Sequence, residues 1–251
     1  MPRSSNLYVF AHQDDEVFAL PVISRQIQSG EDVYCIFLTD GEGRDTPFAR
    51  RRAESLMALG WIGVPPDHIF FLADTSRIAD LRLVEFLDDG FVYVLNAAQR
   101  VIPDKIFVLA AEGGHPDHDC VVAIALKVSR YLGFDVVVRE IAAYRAGPFF
   151  WPVRVASISR VRGLDGEVRL GPKDFIMILR GIMYFPSQWR TWSVLGPLLL
   201  LSLASHRRIS FTAALESVLV SPPPTKKFLY ERFFKVSRLL VHKKIVRFIA
   251  S

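Results

Sequence analysis

The stretch Leu7-Tyr8-Val9-Phe10-Ala11-His12-Gln13-Asp14-Asp15-Glu16 decides how the rest of the chain is read. Four apolar residues that include a β-branched Val predict a short buried strand. The strand runs straight into one His and three carboxylates. In an open α/β sheet, the C-terminal ends of the strands are the edge where ligands bind. A His and a carboxylate a few residues apart on one loop can hold a divalent metal. A spare carboxylate beside them can take a proton. Capping of the following helix accounts for one acid. Three acids with a His exceed what capping needs, so the metal reading is favoured.

Outward from this stretch, strands and helices alternate. Val17, Leu20, Ile23 and Ile27 recur at helical spacing, with Gly30 as a stop and Pro21 tolerable only in the first turn. Val33 to Leu38 is the second strand, and Thr39 to Arg44 a Gly-rich turn with no Lys, hence not a phosphate loop. Phe48 to Leu59 reads as a helix ended by Gly60. On it Arg51 and Glu54 share a face, either as a solvated pair or as a ligand contact. Ile69 to Leu72 is the third strand, ending at Asp74. Leu81 to Val101 carries helical spacing interrupted around Asp89-Gly90, and Ile106 to Leu109 is the fourth strand.

A second polar cluster follows that strand: Glu112-Gly113-Gly114-His115-Pro116-Asp117-His118-Asp119. Pro116 is well placed to open the next helix. Val136 to Val138, or Ile141 to Tyr144, gives a further strand. Alternating strands and helices imply a parallel sheet with right-handed crossovers. All strand ends then face one way, and the two polar clusters meet. His12, Asp15 and His118 can supply three metal ligands with positions left open for water. Asp14 can serve as the base, His115 can stabilise a developing oxyanion, and Asp117 can orient His115.

Length and composition set the frame. At 251 residues and 51% hydrophobic, the chain can bury one good core, as one large domain with at most a small appendage. Cys35 and Cys120 sit in apolar surroundings and read as small buried hydrophobes. The N-terminal residues show no charged region leading into an apolar one, so no signal peptide is expected. The longest apolar run, Val194 to Ala204, falls short of the ~20 residues a spanning helix needs. The expectation is a cytoplasmic protein. Residues 1–148 are expected to form the catalytic domain. Residues 149–224 complete it, with a small hairpin made by Val153–Ser159 and Glu167–Leu170, and Asp174 to Tyr184 as a helix. Residues 225–251 form a basic tail behind the Ser221–Pro224 break. That tail holds eight Lys or Arg against one acid, Glu231. Leu229, Phe233, Val236 and Leu240 fall on one helical face, so an amphipathic helix that touches an anionic membrane surface is one expectation, with Trp189, Trp192 and Val194 to Ala204 adding apolar and aromatic surface beside it. Packing of the same helix on the domain is the other.

The motifs carry a resemblance. Ala11-His12-Gln13-Asp14-Asp15-Glu16 resembles the A-H-[PA]-D-D-E signature of the PIG-L/LmbE-like N-acetylglucosaminyl deacetylases. Gly114-His115-Pro116-Asp117-His118 resembles their H-P-D-H motif. Arg51-x-x-Glu54-x-x-x-Ala58-Leu59-Gly60 is similar to their R-x-x-E helix, and Tyr184-x-x-Ser187-Gln188 to a Y-x-S-Q element with one extra residue. The match runs in order over roughly the first 190 residues. It implies a Rossmann-like three-layer α/β/α sandwich, a zinc site with Fe2+ as an alternative, and removal of an N-acetyl group from an amino sugar. It gives His12, Asp15 and His118 as ligands and Asp14 as base, and points to Arg51 and Asp74 as sugar contacts. Gln13 departs from the signature, and Gly113 stands near where some members carry a Tyr that helps hold the oxyanion. The second oxyanion donor is thus unassigned.

Other classes fit less well. A metal amidase acting on another N-acyl group uses the same residues. A non-catalytic sugar or nucleotide module would be expected to have lost Asp14 or a ligand. A dinucleotide site needs G-x-G-x-x-G after the first strand, and here His12-Gln13-Asp14-Asp15 stands there. Nucleic-acid binding is not expected, since only the tail is basic and it holds no known motif.

Overall fold

The computed structural model describes residues 3–42, 46–133, 136–147, 153–156, 166–221 and 228–251. In chain order the elements are β1 Ser5–Phe10, α1 Leu20–Gln28, β2 Asp32–Phe37, α2 Phe48–Trp61, β3 Ile69–Phe71, α3 Leu87–Val101, β4 Lys105–Leu109, α4 Pro116–Tyr131 and β5 Val137–Ile141. After these come β6 Tyr144–Ala146, β7 Val153–Val155, β8 Gly166–Arg169, α5 Pro172–Met183, α6 Trp189–His206, β9 Arg208–Ala213, α7 Glu216–Val220, α8 Leu229–Phe233 and α9 Arg238–Ala250.

One seven-stranded sheet has the order β3-β2-β1-β4-β5-β9-β8. The first five strands are parallel, and β9 and β8 join antiparallel. Every residue of β1 is buried, as a strand covered on both faces must be. One face carries a row of aromatic rings across four strands: Phe107 on β4, Tyr8 and Phe10 on β1, Phe37 on β2 and Phe71 on β3. This face is covered by α1, α5 and α6 through Ile23, Ile178, Trp192 and Leu199. The other face, with Leu7, Val9, Ile36 and Val108, is covered by α3, α4 and α9. The result is a three-layer α/β/α sandwich. The chain leaves β1 toward β2 on one side and β4 toward β5 on the other. The crevice between β1 and β4 is thus the switch point where an open α/β sheet binds ligands.

The first four strands lie where their apolar runs predicted them, while β5 runs from Val137 to Ile141, between the two expected alternatives, and Tyr144 opens β6. Pro21 falls in the first turn of α1, after a 3-10 turn at Asp15–Phe18. The interruption expected around Asp89-Gly90 is corrected: a 3-10 turn at Leu83–Glu85 comes first, and α3 then runs unbroken through Asp89 and Gly90. The expected hairpin is corrected. β7 pairs with β6, and β8 pairs with β9 in the main sheet, so the two do not pair with each other. Residues 157–165, the Ser221–Pro224 break beyond Ser221, Lys226, Lys227 and the end of the Thr39–Arg44 turn lie outside the described residues.

The tail is also corrected. It is not one helix: α8 and α9 are separated by Phe234–Ser237, with Lys235 at φ 56°. α9 packs on α4 through buried Val241, Ile245, Phe248 and Ile249. Lys127 of α4 donates to the carbonyl of Phe248, and Arg130 to that of Ile249. The expected apolar face is split, since Leu229 is buried while Phe233 and Leu240 are exposed. Among the described residues, no helix is long and apolar enough to cross a membrane.

If α9 is part of the core, Ile245→Ala lowers unfolding stability by about 2–5 kcal/mol. Leu239→Ala, on the exposed side of the same helix, stays within about 0.5 kcal/mol. Urea denaturation of the two variants checks this, and equal small effects would mean a detachable tail.

Candidate active site

The polar ends of β1 and β4 meet, and the three acids of the first motif point three ways. Asp15 joins the clusters. Its Oδ2 accepts from the backbone N–H groups of Ala11 (3.1 Å) and His12 (2.9 Å), and its Oδ1 lies 3.1 Å from His118 Nε2. Burial pushes its pKa up, but His118 and His12 outweigh this and hold it well below the usual carboxylate range. Asp14 faces the cavity, with Oδ1 3.0 Å from Arg51 Nη2. Burial pushes its carboxyl up to about 6, against the opposing pull of Arg51. Its backbone has φ 115°, a left-handed value costly for a residue with a Cβ and best tolerated by Asp and Asn. Glu16 turns inward, is fully buried, and accepts from Asp14 N at 2.8 Å. Burial raises its pKa to about 8.

The loop after β2 is fitted to this arrangement. Gln13 is buried, and its amide donates to the Thr39 carbonyl at 2.9 Å. Arg51 also donates to the Gln13 carbonyl. Gly41, at φ +58°, leaves room for both side chains, and a Cβ there would run into Gln13 Oε1.

His115 caps α4, its Nδ1 accepting from the Asp117 backbone N–H at 3.3 Å. A neutral His115 therefore carries its proton on Nε2, which lies 3.3 Å from Asp80 Oδ1. The expectation that the Asp117 carboxylate orients His115 is corrected. That carboxylate lies 3.2 Å from His12 Nε2 and accepts from the backbone N–H groups of Leu81 (2.8 Å) and Leu83 (3.2 Å). Asp117 orients His12, the pattern by which a carboxylate holds a metal-ligating imidazole.

Arg51 and Glu54 are both buried and do not pair with each other, so the solvated pair is corrected as well. Glu54 accepts from Arg50 and from both the backbone N–H and the hydroxyl of Ser187. The contact ties α2 to the 3-10 turn Pro186–Gln188 and sets the start of α6 over the site. Asp74 does not join the others. It pairs with Arg52 at 3.1 Å, half exposed.

Two residues that sequence reading missed do join. Asp80 Oδ1 lies 3.1 Å from His12 Nε2 and touches His115, and these imidazoles hold its pKa far below normal despite burial. Tyr144 sets its ring edge against His118, 5.6 Å between centroids, and lines the cavity. Burial and the nearby carboxylates keep it a phenol. A lone Asp in a loop and a Tyr on a strand end carry no local pattern that marks them.

The donor set fits a divalent cation. His12, Asp15 and His118 each offer a ligand atom within 4.8 Å of the others, as do His12, Asp80, His115 and Asp117. Only the first group keeps Asp117 free to orient His12. Four carboxylates crowd three imidazoles, an excess of negative charge that a cation offsets. The cavity beside them, about 160 Å³, is closed by Gln188, Thr191, Trp192 and Leu195 of the α6 region and by Phe234.

Gly114 approaches the Tyr144 carbonyl so closely that any Cβ would overlap it. Main chain cannot rotate away as a side chain can, so Gly114→Ala must displace the His115 loop. The expected cost is about 1–3 kcal/mol in chemical denaturation. An unchanged midpoint would show that this contact does not position the loop.

Residues 7–129 match the family described as PIG-L, GlcNAc-PI de-N-acetylase. No curated protein sequence matches the chain. Among solved structures, the chain resembles the A40926 pseudoaglycone deacetylase Dbv21, with TM-score 0.63, 16% identity, and 85% of this chain and 97% of that one covered. It also resembles the N,N'-diacetylchitobiose deacetylase of Pyrococcus horikoshii, with TM-score 0.60, 17% identity, and 89% and 88% covered. A third likeness is GalB, the 4-carboxy-2-hydroxymuconate hydratase of Pseudomonas putida KT2440, with TM-score 0.59, 15% identity, and 89% and 99% covered. At such identities the structures establish a shared fold. Both motifs that build the site fall inside the matched segment, and residues 7–129 are thereby identified as a PIG-L-type de-N-acetylase domain.

Proposed function

We propose that this cavity removes the N-acetyl group of an amino sugar by hydrolysis. His12, Asp15 and His118 would hold the cation, zinc in the first place and Fe2+ as the alternative. The chemistry it supplies when bound is Lewis acidity, toward water and toward the amide carbonyl. The observation that carries the reading is Asp14. Its carboxylate sits in the cavity beside the ligand group, held by Arg51 rather than consumed as a ligand.

Each remaining group then has a task. Asp14 takes the proton of the attacking water and delivers it to the departing amine, so the amide C–N bond breaks as acetate forms. His115 Nε2–H donates to the oxygen that gains charge, and the Tyr144 hydroxyl is the second donor that the sequence left unassigned. Asp117 keeps His12 in orientation. Arg51 serves the substrate indirectly, by fixing Asp14 and the Gln13 carbonyl. Asp74 lies on the surface and has no task here. A sugar substrate is supported by the family description and by the deacetylases of similar fold. A cavity of about 160 Å³ takes the acyl group and the adjoining ring, and leaves the rest of a larger substrate outside, against the α6 region and Phe234.

The hydratase of similar fold favours a second reading, addition of water to a double bond with no amide cleaved. Acetate release separates the two. Metal-stripped protein should release no acetate from a panel of free and conjugated N-acetyl sugars, and zinc or Fe2+ should restore it. Asp14→Asn, which the left-handed backbone tolerates, should keep bound metal by elemental analysis and lose roughly 10²–10⁴-fold in turnover. His118→Ala should lose the metal itself. Full activity in metal-free protein, or an unaffected Asp14→Asn, overturns the assignment.

A further inference from the structure

The rim of the cavity has an unusual surface. α6 lines the cavity with Thr191, Trp192 and Leu195, and Thr191 to Ser205 contains no charged residue. Such a helix is normally buried all round. Here its outer side is open: Trp189, Val194 and Leu201 are between 60% and 63% exposed. α5, which packs beside it, exposes Ile176, Leu179 and Met183. Phe234 closes the cavity from another side, its ring 5.1 Å from that of His115. The residues around it, Phe233, Leu239 and Leu240, are exposed as well. Two apolar surfaces thus flank one cavity mouth.

The charge around these surfaces is mostly positive, although exposed Glu85 lies near Lys244 and Asp80 lies at the cavity edge. From Phe228 to Ser251 there are six Lys or Arg and a single acid, Glu231, which lies 3.6 Å from Arg238. Arg232, Lys235, Lys243 and Arg247 are exposed. From Trp189 to His206 there is no acid, and Arg190 stacks over the Trp189 ring at 5.5 Å. From Pro172 to Met183 the only acid is Asp174, which is buried and paired with Arg25. Exposed aliphatic side chains, a surface Trp and an excess of basic residues over acids are the features of a surface that sits in the headgroup region of an anionic bilayer. An apolar protein partner would not require the excess of positive charge. A second copy of this chain would bring like charges together.

We propose that the rim formed by α6 and Phe233–Leu240 docks on an anionic lipid surface. The docking contact is not the expected amphipathic tail, because α9 spends its apolar face on the domain. It is the open side of α6 together with the non-helical break that carries Phe234. One consequence rests on the deacetylase reading: the acyl-bearing end of the substrate enters the cavity from the lipid side.

The test uses the full chain and vesicles of phosphatidylcholine with and without phosphatidylglycerol. At low salt the protein should co-sediment with the anionic vesicles and not with the neutral ones. Raising salt from about 50 to about 500 mM, which shortens the screening length severalfold, should weaken binding by roughly tenfold or more. The triple variant Arg190→Gln, Lys235→Gln, Lys243→Gln should weaken it similarly. Brominated lipid should quench tryptophan emission in the wild type, and most of that quenching should vanish in Trp189→Phe while sedimentation persists. Thermal melts confirm that each variant is folded. No binding, equal binding to both vesicle types, or a dimer in solution that shields Trp189 overturns the docking surface. Acetate release from a free N-acetyl sugar, measured in parallel, reports on the chemistry alone. Release without vesicle binding removes the docking surface and leaves the proposed reaction. Vesicle binding without release does the reverse.

Discussion

The carboxylate of Asp15 is the contact on which the site depends. It links two motifs that lie 103 residues apart, accepting from the backbone of the first and facing the imidazole of the second. A buried carboxylate is costly unless it is paired and hydrogen-bonded, so the link is tolerable only if both strand ends arrive level. The sheet provides that. β1 and β4 pair in parallel from Asn6 with Lys105 to Val9 with Val108. A slip of one residue would turn every side chain of a strand to the other face. It would separate Asp15 from His118 and expose the aromatic row at the same time. Core packing and active-site geometry therefore enforce one register.

The same economy shapes the three acids. One strand end supplies a bridging carboxylate, a cavity carboxylate and an inward one, and each has a different environment. Glu16 is pushed up by burial and accepts from the Asp14 backbone. That contact, with Arg51 on the far side, holds Asp14 in its left-handed conformation. Backbone strain of order 1–3 kcal/mol persists only where the surroundings over-determine it. Here a buried acid, a buried arginine and the space above Gly41 do so together.

How much of this the sequence revealed depends on the range of the interactions. Strands β1, β2 and β4 are apolar runs bounded by polar loops, and burial on both faces makes such runs conspicuous. The His and Asp clusters are conspicuous too, because each is contiguous. What escaped was set by distant partners. Val153–Val155 and Gly166–Arg169 read locally as two strands of one hairpin, but pairing depends on which edge is open, and β6 and β9 supply those edges. The tail shows a helical stripe through Leu229, Phe233, Val236 and Leu240. The stripe is interrupted where Lys235 takes a positive φ, and α9 buries a different set, Val241, Ile245, Phe248 and Ile249. Asp117 was assigned to the nearer histidine in sequence. Its carboxylate instead reaches His12, while its backbone N–H serves His115.

Asp80 illustrates the last of these limits most clearly. Nothing around it in sequence marks it as special, and its side chain is 43% exposed. Yet its carboxylate lies against two imidazoles, in a loop whose chain is pinned to Asp117 through the N–H groups of Leu81 and Leu83. The Asp117 carboxylate thereby does two jobs with its two oxygens. It orients His12, and it fixes the loop that brings Asp80 to the cavity edge. Removing that carboxylate would leave two backbone N–H groups, one buried and one half-buried, without their acceptor as well as a histidine without its orienting partner, each a cost of about 1–3 kcal/mol. The H-P-D-H motif is for this reason more than a pair of histidines at helical spacing. Its middle carboxylate couples the geometry of β1, β4 and the 78–83 loop, so the His12 imidazole, a capped helix and a loop are held together as one unit.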